Sequence, residues 1–93
     1  MILDFKAMVK GGDGSVVPFS LQIRAPRYDE NRGYCCEIAC PYLTDKNFLI
    51  FGVDEKQARE LSYAFIGQRL ADENVLLVDE EGHDVSVPNL VDD

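Results

Sequence analysis

Two runs of alternating apolar and polar residues flank a glycine-rich turn, and this pattern constrains the fold most. In residues 3–10 and again in residues 17–24, apolar side chains fall at every second position. A period of two places those side chains on one face of a β-strand. The intervening Gly11-Gly12-Asp13-Gly14 favours a tight turn, because glycine adopts positive φ at little cost. The pattern therefore predicts an antiparallel hairpin, whose second strand lies at an edge or only begins at Pro18.

The next part of the chain predicts one long loop and two more strands. Residues 25–33 are polar and rich in turn formers, so they are predicted to be a loop. A third strand is predicted at about residues 34–43, where apolar side chains again alternate. Residues 48–53 are apolar on both faces, and this favours a fourth strand nearest the centre of the sheet.

A single amphipathic helix is predicted over residues 55–71. Asp54 can cap its first turn, and Gln57 stands three residues later, as in a capping box. Apolar residues then recur at intervals of three and four, which gives the helix one apolar stripe. The members of that stripe are Ala58, Leu61, Ser62, Phe65, Ile66 and Leu70.

Two short strands, at residues 75–78 and at about 85–87, complete the pattern and form a terminal hairpin. The element order β-β-β-β-α-β-β predicts an α+β, two-layer fold. It has a mostly antiparallel sheet of about six strands, with one helix packed on one face. Ninety-three residues fit a single domain over residues 1–93, with a short acidic C-terminal tail from about residue 89.

The three cysteines predict two core side chains and one candidate reactive thiol. Cys36 and Cys40 share the apolar face of the third strand, whereas Cys35 faces the opposite side, where the sequence leaves its exposure open. A zinc site needs four converging ligands, and this spacing with the single His83 does not supply them. We therefore predict no metal, no cofactor and no catalytic residues, although Cys35 keeps a thiol-dependent enzyme open as an alternative.

Three arginines, Arg24, Arg27 and Arg32, surround the predicted loop and form a candidate site for a small anion or an acidic peptide. Asp29 and Glu30 are interleaved with them. Local ion pairs are therefore the competing interpretation of this cluster.

The charge of the chain is distributed unevenly. Residues 1–46 carry six basic and six acidic side chains, whereas residues 47–93 carry three basic and eleven acidic ones, giving the net charge of −8. Binding to nucleic acid or to an anionic membrane is not expected, because phosphate contacts need clustered cations. An acidic surface can instead attract a basic protein partner. The candidate partner-binding residues are Asp79, Glu80, Glu81 and Asp84.

The chain start and the cysteines indicate a cytoplasmic protein. Residues 1–6 lack the basic start and the apolar run of a signal peptide, and the longest apolar run, residues 48–51, is far too short to span a membrane. An odd number of crowded cysteines is also typical of reduced thiols rather than of a secreted disulfide framework.

The stretch from Phe51 to Ala58, with Leu61, Ala64, Gly67 and Leu70 after it, resembles a signature of a small uncharacterised bacterial family. In that family a G-V-D-x-x-Q-A helix start follows a strand pair, with a cysteine in an upstream strand. Pro88 resembles a proline near the end of the family's last strand. The resemblance covers about residues 34–88 and implies a bacterial, cytoplasmic, α+β protein without an established activity. Cys35-Cys36 and the acidic end depart from this pattern.

These patterns favour a non-enzymatic interaction module, immunity-like or accessory, that binds a basic partner through its acidic C-terminal half. The alternatives are a ligand-binding protein that uses residues 24–32, and a thiol-dependent enzyme that uses Cys35. An acidic surface that serves solubility alone is the simplest interpretation of the charge. A homodimer, formed through the edge strand that carries Pro18 or through the terminal hairpin, is also predicted.

Overall fold

The computed structural model describes residues 2–88, in which six strands form one open, antiparallel sheet with a single helix on one face. The predicted α+β class and two-layer architecture are confirmed. The predicted acidic tail from about residue 89 lies outside the described residues. The elements are β1 (Leu3–Lys10), β2 (Val16–Ile23), β3 (Arg27–Asp29), β4 (Gly33–Ala39), β5 (Phe48–Gly52), α1 (Glu55–Asp72) and β6 (Leu77–Val78).

β5 is an edge strand of the sheet, and β4, next to it, has the most pairing partners. Along one edge β4 pairs with β3 through Cys35 and with β2 through Ile38, and along the other edge it pairs with β5 through the same two residues. The prediction that residues 48–53 lie nearest the centre is therefore wrong. The two faces of β5 are apolar for other reasons. One face lies under α1, and on the other face the ring of Phe51 lies beneath the guanidinium of Arg32.

The N-terminal hairpin forms as predicted. All eight residues of β1 pair with β2, from Leu3 opposite Ile23 to Lys10 opposite Val16. Asp13 stabilises the turn, since its carboxylate accepts hydrogen bonds from the backbone and the hydroxyl of Ser15. Beyond β1, the first part of β2 pairs with no other described strand, and Pro18 lies in that part.

The strand predicted at about residues 34–43 ends at Ala39, and residues 40–44 form a turn closed by hydrogen bonds to the Cys40 carbonyl. Two further predictions, both about short segments, also need correction. The predicted loop at residues 25–33 contains β3, which pairs with the start of β4. Near the C-terminus, the strand predicted at about residues 85–87 is reduced to one bridge between Val78 and Asp84. The observed order is therefore β-β-β-β-β-α-β. Both differences concern pairing between short segments, which depends on neighbouring strands more than on local sequence.

Capping residues fix the start of the helix as predicted. Asp54 accepts a hydrogen bond from the backbone N–H of Gln57, and the side chain of Gln57 accepts one from the backbone N–H of Val53. The helix ends at Asp72. Its buried residues are Ala58, Ser62, Tyr63, Ile66 and Leu70, whereas Leu61 remains 42% exposed.

The helix packs on the face of the sheet that carries the alternating apolar residues, and this layer is the core. Cys36 and Cys40 belong to it, as predicted, together with Phe19, Leu21, Ile23 and Ile38. The opposite face has no second layer over it among residues 2–88, and we call it the open face. In that same part of the chain, no helix combines the length and the apolar character needed to cross a membrane.

Candidate functional site

The predicted thiol and the predicted anion site lie together on the open face. In the sheet register, Cys35 of β4 is directly opposite Arg27 of β3 on one side and Phe51 of β5 on the other. Directly opposed residues project from the same face, with Cβ atoms about 5 Å apart. The guanidinium of Arg32 lies over the Phe51 ring, 4.6 Å from its centre. Two separate sequence motifs therefore become one surface.

Cys35 is only 4% exposed, which answers the question of exposure that the sequence left open. Its strand does turn it away from the helix, but the long side chains beside it cover it. Burial raises the pKa of the Cys35 thiol, and the nearby Arg27 guanidinium offsets part of that rise. A thiol that is covered and predominantly protonated is a poor nucleophile, because the thiolate is the reactive form. This geometry disfavours the thiol-dependent alternative.

Arg24 joins the same surface through Glu37 of β4. Its backbone N–H donates to the Glu37 carbonyl at 2.9 Å, and its Nε lies 3.7 Å from a carboxylate oxygen of Glu37. The other oxygen of that carboxylate accepts a hydrogen bond from the Asn47 side chain. Arg24, Arg27 and Glu37 line a cavity of about 280 Å³. We call Arg24, Arg27, Arg32, Phe51 and Glu37 the arginine surface.

Among the described residues, the interleaved acids form no ion pair within 4.0 Å with these arginines. Asp29 accepts hydrogen bonds from the backbone N–H groups of Asn31 and Arg32, and so it shapes the turn between β3 and β4. Among residues 2–88, Arg24 with Glu37 is the one ion pair within 4.0 Å that involves an arginine of this surface. The expectation of local ion pairs with Asp29 or Glu30 is therefore wrong, and two guanidinium groups face solvent without an acidic partner in the described structure.

The predicted acidic site is a tight turn in which one carboxylate has a structural role. Asp79 accepts hydrogen bonds from the backbone N–H groups of Glu81 and His83, each at 2.9 Å. These bonds, above all the one from His83, hold the pKa of Asp79 below its ordinary value. Glu80, Glu81 and Asp84 are exposed, and His83 is 72% exposed as expected for a solvated histidine. Three of the four predicted residues thus remain accessible.

Sequence reasoning missed two members of the arginine surface, Phe51 and Glu37. Phe51 lies in an apolar run that is typical of a buried strand. Because it directly follows the core-facing Ile50, strand alternation nevertheless indicates that it faces away from the helix. Glu37 carries no local signal, since its pairing with Arg24 depends on the register between β2 and β4. A larger cavity of about 570 Å³, between β1, β2 and the acidic turn, was also not predicted. Its lining includes Lys6, Met8, Pro18, Tyr42, Asp79 and Glu80.

Comparison with known proteins adds no family to this geometry. No family model, curated protein or solved structure matches the chain. The resemblance of residues 34–88 to a small bacterial family therefore stays a prediction, as do the bacterial origin and the cytoplasmic location. In residues 2–88, no three His, Cys, Asp or Glu side chains are close enough together to hold a metal ion.

Proposed function

We propose that this protein is a non-enzymatic binding module whose arginine surface binds an anionic group, a carboxylate or a phosphate, of its partner. The observation that carries the proposal is that Arg27 and Arg32 lie on the open face without an acidic partner among the described residues. Guanidinium groups bind carboxylate and phosphate in a two-pronged geometry, with charge-assisted hydrogen bonds.

Arg32 is additionally oriented by its position over Phe51. A guanidinium that stacks on an aromatic ring keeps its N–H groups directed outward, so less conformational entropy is lost when a ligand binds. The net charge of −8 does not prevent such binding, because charges further apart than about 8 Å are largely screened at physiological ionic strength. Three arginines suit one or two anionic groups rather than the backbone of a nucleic acid.

A fluorescent hexaglutamate peptide and inorganic phosphate are suitable probes, measured by anisotropy and by thermal shift. Each charge-assisted hydrogen bond contributes about 1.5–3 kcal/mol, so Arg27→Gln should weaken peptide binding by roughly tenfold or more. The matched control is Arg59→Gln, which removes the same charge from an exposed position on the helix. Equal weakening by both variants, or no binding by the wild type at low salt, would refute the proposal.

The acidic turn supports a second candidate, the binding of a basic protein through Glu80, Glu81 and Asp84. The supporting observation is that Asp79 holds the turn through backbone hydrogen bonds, so the other carboxylates project from a fixed loop. A labelled hexalysine peptide tests it: the double change Glu80→Lys and Glu81→Lys should abolish salt-sensitive binding. The control is Glu30→Lys with Asp45→Lys, which changes the net charge equally at exposed positions elsewhere. An equal loss of peptide binding in the two double variants would contradict a specific role of the turn.

A further inference from the structure

The outer edge of β5 has no charged residue, no proline and no bulge, three features by which proteins protect exposed strands. Among the described strands, β5 pairs with β4 alone, and its backbone groups make no hydrogen bond outside that pairing. Natural edges usually carry lysine, proline or a bulge that blocks further pairing. Residues 48–53 contain no charged residue and no proline. This edge is therefore able to accept another strand.

Exposed apolar side chains accompany this edge on both faces of the sheet. On the open face Leu49 is 47% exposed, and Val53 just after the strand is 78% exposed. On the helix face the ring of Phe65 packs against that of Phe48, with 4.7 Å between their centres. This contact places Phe65 beside the edge, together with Leu61, which lies one helical turn earlier and is 42% exposed. A partner at this edge would cover all of these side chains.

The sequence of β5 is complementary to itself in an antiparallel arrangement. A two-fold axis can pass through Ile50, perpendicular to the sheet. It gives a register in which all five residues of the strand pair with those of an identical strand. Phe48 then lies opposite Gly52 of the partner subunit, whose helix-side face the backbone of Ala58 already covers. Leu49 lies opposite Phe51 of the partner subunit, and both are apolar. Pairs of this kind stabilise antiparallel sheets.

We infer that a second copy of this chain occupies the edge, so that two β5 strands join the sheets of two subunits about Ile50. Strands lie about 4.8 Å apart, so two helices centred between β4 and β5 would lie roughly 10 Å from each other. That is close to the distance at which helices pack, and Leu61 and Phe65 would meet there. The open faces of both subunits become continuous, which brings two arginine surfaces onto one side of the dimer.

The structure directs this contact to β5 rather than to the edges predicted from the sequence. Pro18 lies in β2, whose unpaired part lacks one backbone donor at that residue. The other predicted edge, the terminal hairpin, offers only the two residues of β6 before the acidic turn begins. Two copies of that turn would repel each other, whereas β5 itself carries no charged residue.

Sedimentation equilibrium of the full chain, from low micromolar to near-millimolar concentration, tests the dimer. We expect a monomer–dimer equilibrium, which Leu49→Lys shifts towards monomer by about tenfold or more in Kd, because two apolar contacts per dimer are lost. The matched control is Leu76→Lys, which places the same residue at a 61%-exposed leucine outside β5 and should leave Kd unchanged. Circular dichroism verifies that both variants fold.

Hydrogen exchange on the wild type tests the same inference without a variant. Neighbouring amides of an edge strand point alternately inwards and outwards. In the dimer all backbone amides of Phe48–Gly52 should be protected from exchange. On dilution to monomer, the outward-pointing amides, which are every second one, should lose that protection. A monomer at every concentration, a dimer insensitive to Leu49→Lys, or outward amides that exchange freely in the dimer would each overturn the inference.

Discussion

Replacing Gly52 by alanine tests how closely the helix approaches the sheet. A Cβ atom at this position would lie 2.5 Å from the backbone nitrogen of Ala58 and 2.9 Å from its Cα atom. Both are backbone atoms in the first turn of α1, so no side-chain rotation can relieve the clash. The first turn of the helix would have to move away from the end of β5.

The expected loss of stability follows from two opposing terms. Forcing one extra methyl group into a packed site costs about 1–3 kcal/mol. Alanine restricts the unfolded chain more than glycine does, and this returns about 0.4–1 kcal/mol. The net loss therefore lies between about 0 and 2.6 kcal/mol, and its middle value of about 1.3 kcal/mol should lower Tm by roughly 5–10 °C in a domain of this size. A chain of this length has a total stability of about 5–14 kcal/mol, so it should still fold.

The assay is a pair of thermal and urea denaturation curves, recorded at one fixed protein concentration because the proposed dimer would make Tm depend on concentration. The matched control is Gly12→Ala, since a Cβ atom there would meet nothing within 4 Å and its φ is not positive. We expect the control to stay within about 0.5 kcal/mol of the wild type. Indistinguishable curves for Gly52→Ala and Gly12→Ala would refute the reasoning.

Two further predictions concern the cysteines and the acidic turn. Ellman's reagent should label the buried Cys35, Cys36 and Cys40 slowly until the chain unfolds; fast native labelling of Cys35, with a midpoint below about pH 8.5, would contradict this. The Asp79 carboxylate has a lowered pKa, so its stabilisation is complete above the ordinary value of about 3.9 and is lost as pH falls through the lower folded value. Tm should therefore fall less with acid in Asp79→Asn than in the wild type or in Asp45→Asn; equal slopes in all three would be the contrary result.

The elements that the sequence predicted well are those that local chemistry determines. The first hairpin follows from alternation and from a turn that glycines and Asp13 favour. The start of the helix follows from Asp54 and Gln57, whose capping hydrogen bonds involve residues at most four apart in the chain. Such interactions need no other part of the fold, so they can be recognised before the fold is known.

The candidate site was predicted only in part, because its grouping depends on contacts between segments that are distant in the sequence. The arginines and Cys35 were identified separately, but their grouping depends on how β3 and β5 align with β4. Strand register joins residues distant in sequence, so local patterns carry little information about it. The exposure of Cys35 could not be predicted, because alternation gives the face of a side chain and not what its neighbours cover.

By itself, the sequence determined the two-layer α+β class, the capped helix, the first hairpin and the core position of Cys36 and Cys40. Alternation, capping and burial of small apolar side chains are sufficient for these. Only the tertiary structure decided that β4 pairs with three strands, that β5 is an edge, and that Arg27 and Arg32 lie on the open face beside Phe51. Those properties arise from pairing between distant segments, which brings together side chains that the chain itself keeps apart.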